Sequence, residues 1–235
     1  AADNVQLYKL ICRQVARNLG MTATFLPKPF MGINGSGMHT NFSLGKNGKN
    51  IFHDPKGQDG LSKLAWDFIL KLLNHAPELC LIINSSVNSY RRLDPHFEAP
   101  NQIKVSPIDR GSMIRIPVGN EKTARIEVRS VAPDSNPYLS LYTILRVGLE
   151  GEKLQKDRNK RDRLRFLPDN INDAIALCRK SQFMTKILGE DNKEKFLHYK
   201  QAAADRSPKA LGTTIKGSEI LYHHEVTNQL LWNNF

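Results

Sequence analysis

No apolar stretch of this 235-residue chain approaches the ~20 residues needed to cross a bilayer; the longest, Leu79 to Ile83, is far shorter. The opening residues, Ala1-Ala2-Asp3-Asn4, have no basic segment followed by an apolar one and no initiating Met, and they read as a cut end. Cysteine is scarce. Cys12, Cys80 and Cys178 are odd in number, scattered and set among apolar neighbours. That excludes a disulfide framework and suits buried thiols in a reducing compartment, with the cytoplasm as the expected location. Acidic charge is also short: 23 Asp and Glu face 34 Lys and Arg, a formal net charge of +11. With 40% hydrophobic and 24% charged residues, the composition excludes a disordered or collagen-like chain and predicts a real core. The length suits one large domain.

Hydrophobic spacing organises the rest. Leu7, Leu10, Ile11 and Val15 mark a helix over Asp3 to Leu19 that stops at Gly20. Thr22 to Pro27 is rich in strand formers, and the tight loop Gly32-Ile33-Asn34-Gly35-Ser36-Gly37 leads into an alternating run, His39 to Leu44. Leu61, Leu64, Ala65, Phe68, Ile69 and Leu72 predict an amphipathic helix, which Pro77 separates from the apolar run Leu79 to Ile83. Short strands are expected at Ile103 to Val105, Ser112 to Pro117 and Ala124 to Arg129. Asn136-Pro137 supplies a cap and a first-turn proline for a helix reaching about Leu149. Glu152 to Arg165 holds seven Lys and Arg and three Asp and Glu, the composition of a solvated loop. Helical patterns return at Ile171 to Lys180, Asn192 to Ala204 and Ser218 to Phe235. The class is α+β: an antiparallel sheet with helices on one face and a helical tail.

Strand side chains alternate between faces. Arg125, Glu127 and Arg129 therefore share one face against Ala124, Ile126 and Val128; Arg115 opposes Ile114 and Ile116; and His39, Asn41 and Ser43 oppose Thr40, Phe42 and Leu44. A charged face is ordinarily a solvated one. This one uses Arg almost exclusively, with Arg91, Arg92 and Arg110 on flanking segments. Guanidinium groups crowded together repel unless an anion relieves them, and Arg is the fork that grips phosphate and carboxylate. A nucleoside triphosphate with Mg²⁺ is the simplest such ligand, and Glu127 and His39 are the oxygen and nitrogen donors on the same face. The glycine loop is neither a P-loop nor a dinucleotide fingerprint; taken alone, it is either a plain hairpin loop or a place where the backbone of Asn34 and Gly35 approaches a ligand.

In order along the chain, Lys28-Pro29-Phe30-Met31-Gly32-Ile33-Asn34-Gly35-Ser36-Gly37-Met38-His39 with Ser43, Asn88-Ser89-Tyr90-Arg91-Arg92-Leu93, Phe97-Glu98-Ala99-Pro100, Arg110, Ser112 to Pro117, Arg125-Ile126-Glu127-Val128-Arg129 and Asn136-Pro137-Tyr138-Leu139 resemble the catalytic domain of the glutamine synthetase family, type I branch. The resemblance covers about the first two thirds at motif level. It implies the family's curved sheet, and a ligase that phosphorylates the γ-carboxylate of glutamate with ATP, then lets ammonia displace phosphate from the γ-glutamyl phosphate. It assigns His39 and Glu127 to a metal, Mg²⁺ or Mn²⁺. Asn41, Ser43, Arg110, Arg115, Lys122 and Arg125 fall to ATP, and Asn34, Gly35, Arg92 and Arg129 to glutamate. Glu98 and Arg110 become the catalytic pair, with Glu98 as the flap carboxylate that excludes water and takes a proton from ammonium.

Departures from the family pattern carry expectations too. Asn41 stands where many type I members have a second His, and Leu93-Asp94-Pro95-His96-Phe97 differs from the usual flap approach, which leaves an amine beside ammonia as nucleophile. No tyrosine accompanies Arg165-Phe166-Leu167-Pro168, so regulation by adenylylation is not expected. The family's N-terminal β-grasp domain and the first part of its catalytic domain are expected to be missing from residues 1–235. The whole protein is expected to be a homo-oligomer, a dodecamer of two stacked hexameric rings with sites between subunits, and this chain alone to be inactive. Two readings from other classes are weighed beside it. The basic run could bind nucleic acid, but it lacks interleaved aromatics, and a catalytically dead structural relative would have little reason to keep Glu127, Arg92 and Glu98 together. His223-His224-Glu225 is read as surface, since adjacent helical residues cannot face one ion.

Overall fold

A computed structural model describes residues 1–30, 32–93, 99–153 and 164–209, with side chains as far as 205. Helix α1 (Ala2–Asn18) is followed by strands β1 (Thr40–Phe42), β2 (Gly45–Lys46) and β3 (Lys49–Asn50). Helices α2 (Lys63–Ile83) and α3 (Val87–Arg92) lead to β4 (Gln102–Ser106), β5 (Ser112–Arg115) and β6 (Ile126–Val128). Helices α4 (Pro137–Glu150), α5 (Ile171–Lys180), α6 (Gln182–Leu188) and α7 (Glu190–Lys209) complete the described chain. The α+β class is as expected. The patterns at Ser218 to Phe235 and His223-His224-Glu225, and most of the basic run, lie outside the described residues.

The main sheet has the order β1-β6-β5-β4. The three strands with polar alternation pair antiparallel, Asn41 opposite Glu127 and Arg115 opposite Glu127, which puts all three side chains in one row across the sheet. β4 joins β5 in parallel, with a register shift between Gln102 and Val105, so the sheet is mixed rather than wholly antiparallel. Ile114, Ile126 and Val128 on the opposite face are fully buried. They belong to one core with Phe68, Ile69, Leu72 and Leu79 of α2. Burying each such side chain contributes about 1.5–3 kcal/mol.

Helix α2 runs straight through Pro77, where the sequence predicts a break. Proline removes the donor that the carbonyl four residues earlier needs. The Arg165 guanidinium, distant in sequence, donates to the Leu73 carbonyl at 3.0 Å and satisfies it. The Ser62 side chain caps the start by accepting from the Ala65 amide at 3.3 Å. α2 packs on α4 and α5. Asn136 caps α4 as its sequence predicts, accepting from the Tyr138 and Leu139 amides.

Thr22 to Pro27 forms no strand. Its ordered feature is the Pro27 carbonyl, which accepts from the Ser36 amide at 2.7 Å and pins the glycine loop instead of a neighbouring strand. α1 forms over the expected span, but Leu7, Leu10, Ile11 and Val15 stand exposed, and its one buried residue is Lys9, which donates to the Pro133 carbonyl. Helical spacing fixed the element and not what covers it. Cys80 and Cys178 are buried, Cys12 only partly. Among the described residues no helix is long and apolar enough to cross a membrane.

Candidate active site

Glu127, in the middle of β6, is the hub of the polar face. Its Oε1 lies 2.8 Å from His39 Nδ1, and its Oε2 accepts from an Arg115 guanidinium nitrogen at 2.9 Å. The carboxylate is largely shielded, at 11% side-chain exposure against 45% for Arg115 and 36% for His39. Burial, first, and the Arg92 charge push the His39 imidazole below its ordinary value, against the pull of Glu127. A neutral ring whose Nδ1 proton faces the carboxylate leaves Nε2 with the lone pair that a cation can take.

Arg92, at the end of α3, is the buried cation of the site. It donates to the carbonyls of Arg129 at 2.8 Å and of Ser130 and Val131 at 3.3 Å. Burial lowers its pKa to about 10, helped by repulsion from Arg129 and opposed by Asp134. The glycine loop lies directly on it. A Cβ at Gly37 would overlap the Arg92 guanidinium and meet His39 Nε2 at 2.9 Å, and one at Gly35 would meet Arg92 Cγ at 2.9 Å. Glycine is required there by close approach.

The remaining arginines surround this pair. Arg129 donates to the Arg110 carbonyl. Its guanidinium is pushed down by burial first; Glu127 opposes this, and Arg115 and Arg110 reinforce it. Arg129 thus feels the charge of both Arg115 and Arg110, the crowding that an anion relieves. Arg125 Nε donates to Asn41 Oδ1 at 2.9 Å, so Asn41 is held by an arginine at the sheet's outer edge. Ser43 is exposed just past β1, Asn34 is exposed in the loop, and Lys122 lies on the exposed turn whose amides Asn120 Oδ1 caps.

The structure therefore brings His39, Glu127, Arg115, Arg92, Gly35 and Arg129 together, with Arg110 at their margin. Asn41 and Arg125 form a second pair, and Lys122 sits apart on its turn. Glu98 lies outside the described residues. Sequence reading missed Gly37 as a contact residue, although its place two residues before His39 was a usable signal. It also missed the Lys28–Asn88 clamp beneath the loop: Lys28 N donates to Asn88 Oδ1 at 2.7 Å, and Asn88 Nδ2 donates to the Lys28 carbonyl at 2.8 Å.

A carboxylate and a neutral imidazole fit part of the shell of a divalent cation. Among the described residues no group of three His, Cys, Asp or Glu could hold one. Mg²⁺ commonly takes one or two carboxylates and fills its remaining positions with phosphate oxygens and water, so the pair fits that ion when a nucleotide is bound.

Residues 1–213 match the family model described as glutamine synthetase, catalytic domain. The chain is 39% identical to a glutamine synthetase of Thermus thermophilus over 219 residues, 87% of this chain and 49% of the relative. It is 41% identical to one of Methanosarcina mazei over 213 residues, 84% of this chain and 47% of the relative. It thus spans about half the length of these relatives. The cryoEM structure of Plasmodium falciparum glutamine synthetase shares the fold, with a TM-score of 0.83 and 24% identity over 94% of this chain and 53% of that one. With more than four fifths of the chain aligned at this identity, these 235 residues belong to the glutamine synthetase catalytic-domain family.

Proposed function

We propose that the protein carrying this chain is an ATP-dependent glutamate–ammonia ligase. The observation that carries the reading is the Glu127 carboxylate held between a neutral imidazole and Arg115, with Arg92, Arg110 and Arg129 close by. The γ-phosphoryl group passes from ATP to a γ-carboxylate oxygen of glutamate and ADP leaves; the nitrogen of ammonia then forms a bond to the acyl carbon, and phosphate departs with the oxygen.

Each residue has a task in that scheme. Arg110 and Arg115 meet the phosphates, where fixed guanidinium groups stabilise charge without reorganising. Asn41, Ser43, Lys122 and Arg125 line the nucleotide side. Arg92 and Arg129 fork the carboxylates of glutamate, and the backbone at Asn34 and Gly35 faces the amino acid, which converts random encounter into positioned attack. A bound Mg²⁺ or Mn²⁺, held by His39 and Glu127, would neutralise charge on the transferred group. Glu98 covers the acyl phosphate and accepts the proton that ammonium must lose. The protein is proposed to be a cytoplasmic homo-oligomer, a dodecamer of two stacked hexameric rings with sites shared between subunits.

ADP release, measured with glutamate, Mg²⁺ and either ammonia or small amines, tests the reading. Glutamate-dependent turnover that Glu127→Ala abolishes supports it, and preference for an amine reassigns the nucleophile to a γ-glutamyl-amine ligase. Salt-sensitive nucleic-acid binding without glutamate-dependent turnover overturns it.

A further inference from the structure

Asp134 lies between β6 and α4, and its described side-chain hydrogen bonds go to α3 and its cap. Its Oδ1 accepts from Ser89 Oγ at 3.1 Å and its Oδ2 accepts from Ser86 Oγ. Ser86 is the cap of α3, its Oγ accepting from the Ser89 amide at 3.1 Å, and the two hydroxyls are 3.0 Å apart. The carboxylate therefore closes a ring at the start of α3.

One turn of that helix then does two further things. Asn88 clamps the Lys28 backbone through two hydrogen bonds, at the base of the glycine loop. Arg92 lies under Gly35 and Gly37 and donates to the carbonyls of residues 129–131. The stretch from Arg129 to Asp134 thus grips α3 at both ends, by carbonyls at the Arg92 end and by a carboxylate at the Ser86 end. A helix of six residues is only about 9 Å long, so two such grips fix both its rotation and its sliding.

We infer that Asp134 is a positioning residue for the amino-acid side of the site, acting through Ser86 and Ser89 to hold α3, and with it Arg92 and the glycine loop, in register. This rests on the reading that Arg92 binds the carboxylate of the amino acid. Its charge has company suited to keeping it in place: Lys9, Lys200 and Arg92 all feel it. Burial pushes the carboxyl above its usual range, while the two serine hydroxyls and Lys200 pull the other way. The nucleotide side, at Asn41, Arg125 and Lys122, has no described bond to α3, so it should be indifferent to this carboxylate.

The experiment compares Asp134→Asn and the milder Ser89→Ala with the unaltered protein, and uses Gly148→Ala, a core substitution on α4 against the Phe68 ring, as a control for simple destabilisation. An amide has one acceptor oxygen where the carboxylate has two, so one serine hydroxyl loses its charged acceptor and faces an NH2 donor instead. KM for glutamate rises roughly 10-fold in Asp134→Asn, the size of one charge-assisted hydrogen bond, and KM for ATP stays within about 2-fold. Ser89→Ala moves glutamate KM in the same direction, and Gly148→Ala moves neither. Equal movement of both KM values, or none in glutamate KM, overturns the inference. If the unaltered protein shows no glutamate-dependent ADP release, the functional reading fails, and amide hydrogen exchange decides the positioning claim. Asp134→Asn then speeds exchange at Lys28, Ser36 and Met38 together with α3; unchanged exchange at those three amides overturns it.

Discussion

Replacing Gly37 by alanine adds one methyl group at the most crowded point of the site. Its backbone does not lie in the left-handed region, so alanine can adopt the same conformation, and the loss of unfolded-chain freedom stabilises by about 0.4–1 kcal/mol. Against this, the new Cβ meets His39 Cδ2 and Nε2 at 2.9 Å and overlaps the Arg92 guanidinium. Overpacking of this kind costs about 1–3 kcal/mol. The net change in stability is then about 0–2.6 kcal/mol, and at roughly 2–4 °C per kcal/mol the melting temperature falls by no more than about 10 °C. The catalytic cost is of another kind. Arg92 cannot retreat without stretching its three carbonyl bonds, so the loop or His39 must shift, and misplacing a binding group by an ångström costs roughly 100-fold in rate. Calorimetry paired with glutamate-dependent ADP release separates the two effects: kcat/KM for glutamate falls about 100-fold, equal to about 2.7 kcal/mol, in a protein that still melts cooperatively. A variant that retains kcat/KM within about 3-fold, on any melting profile, refutes the claim that close approach of the loop sets the site.

Glu127→Gln removes the ion-pair partner of Arg115 and the carboxylate that orients the His39 ring, and the Mg²⁺ concentration for half-maximal rate is expected to rise by at least about 10-fold, read by titrating the metal in the ADP assay. Gly148→Ala drives a Cβ into the Phe68 ring between α2 and α4; scanning calorimetry should show a loss of about 1–3 kcal/mol, and an unchanged melting temperature would mean the helices are not in contact there. Burial lifts the Cys80 and Cys178 thiols to about 12 and about 11, so iodoacetamide at pH 8 should label only Cys12 in the native chain and all three after denaturation. Because Asp134 has a raised folded-state value, its titration contributes stability below the ordinary carboxylate range that is lost as pH rises through the folded value. Urea unfolding should therefore show the advantage of the unaltered protein over Asp134→Asn shrinking as the pH rises above the ordinary carboxylate value of about 4.

Local chemistry made much of this molecule readable from its residues. The cap at Asn136, the spans of α1 and α5 and the two-residue alternation of β1, β5 and β6 are properties of neighbouring residues, and they appear where spacing puts them. The same alternation put Arg115, Glu127 and Asn41 on one face, and the structure pairs them across strands. What escaped depends on partners remote in sequence. Pro77 stays inside a helix because Arg165 serves the Leu73 carbonyl. α3 is six residues, five of them polar or aromatic, whose helical state rests on Ser86, Asp134 and the carbonyls around Arg92. The parallel pairing of β4 leaves no mark in alternation, since both pairings have a period of two. The burial of Arg92 beneath glycines is likewise invisible until the loop is folded over it.

The separation of 88 positions along the chain from His39 to Glu127 has a consequence for how the protein is made. At synthesis rates of about 5–20 residues per second, His39 leaves the ribosome roughly 4–18 s before the carboxylate it will face exists. Strand β1 spends that interval without β6, its neighbour in the sheet. Formation of this pair is thus a late event in the life of the nascent polypeptide, and a premature stop between residues 40 and 127 yields a chain with the imidazole and without the carboxylate it faces.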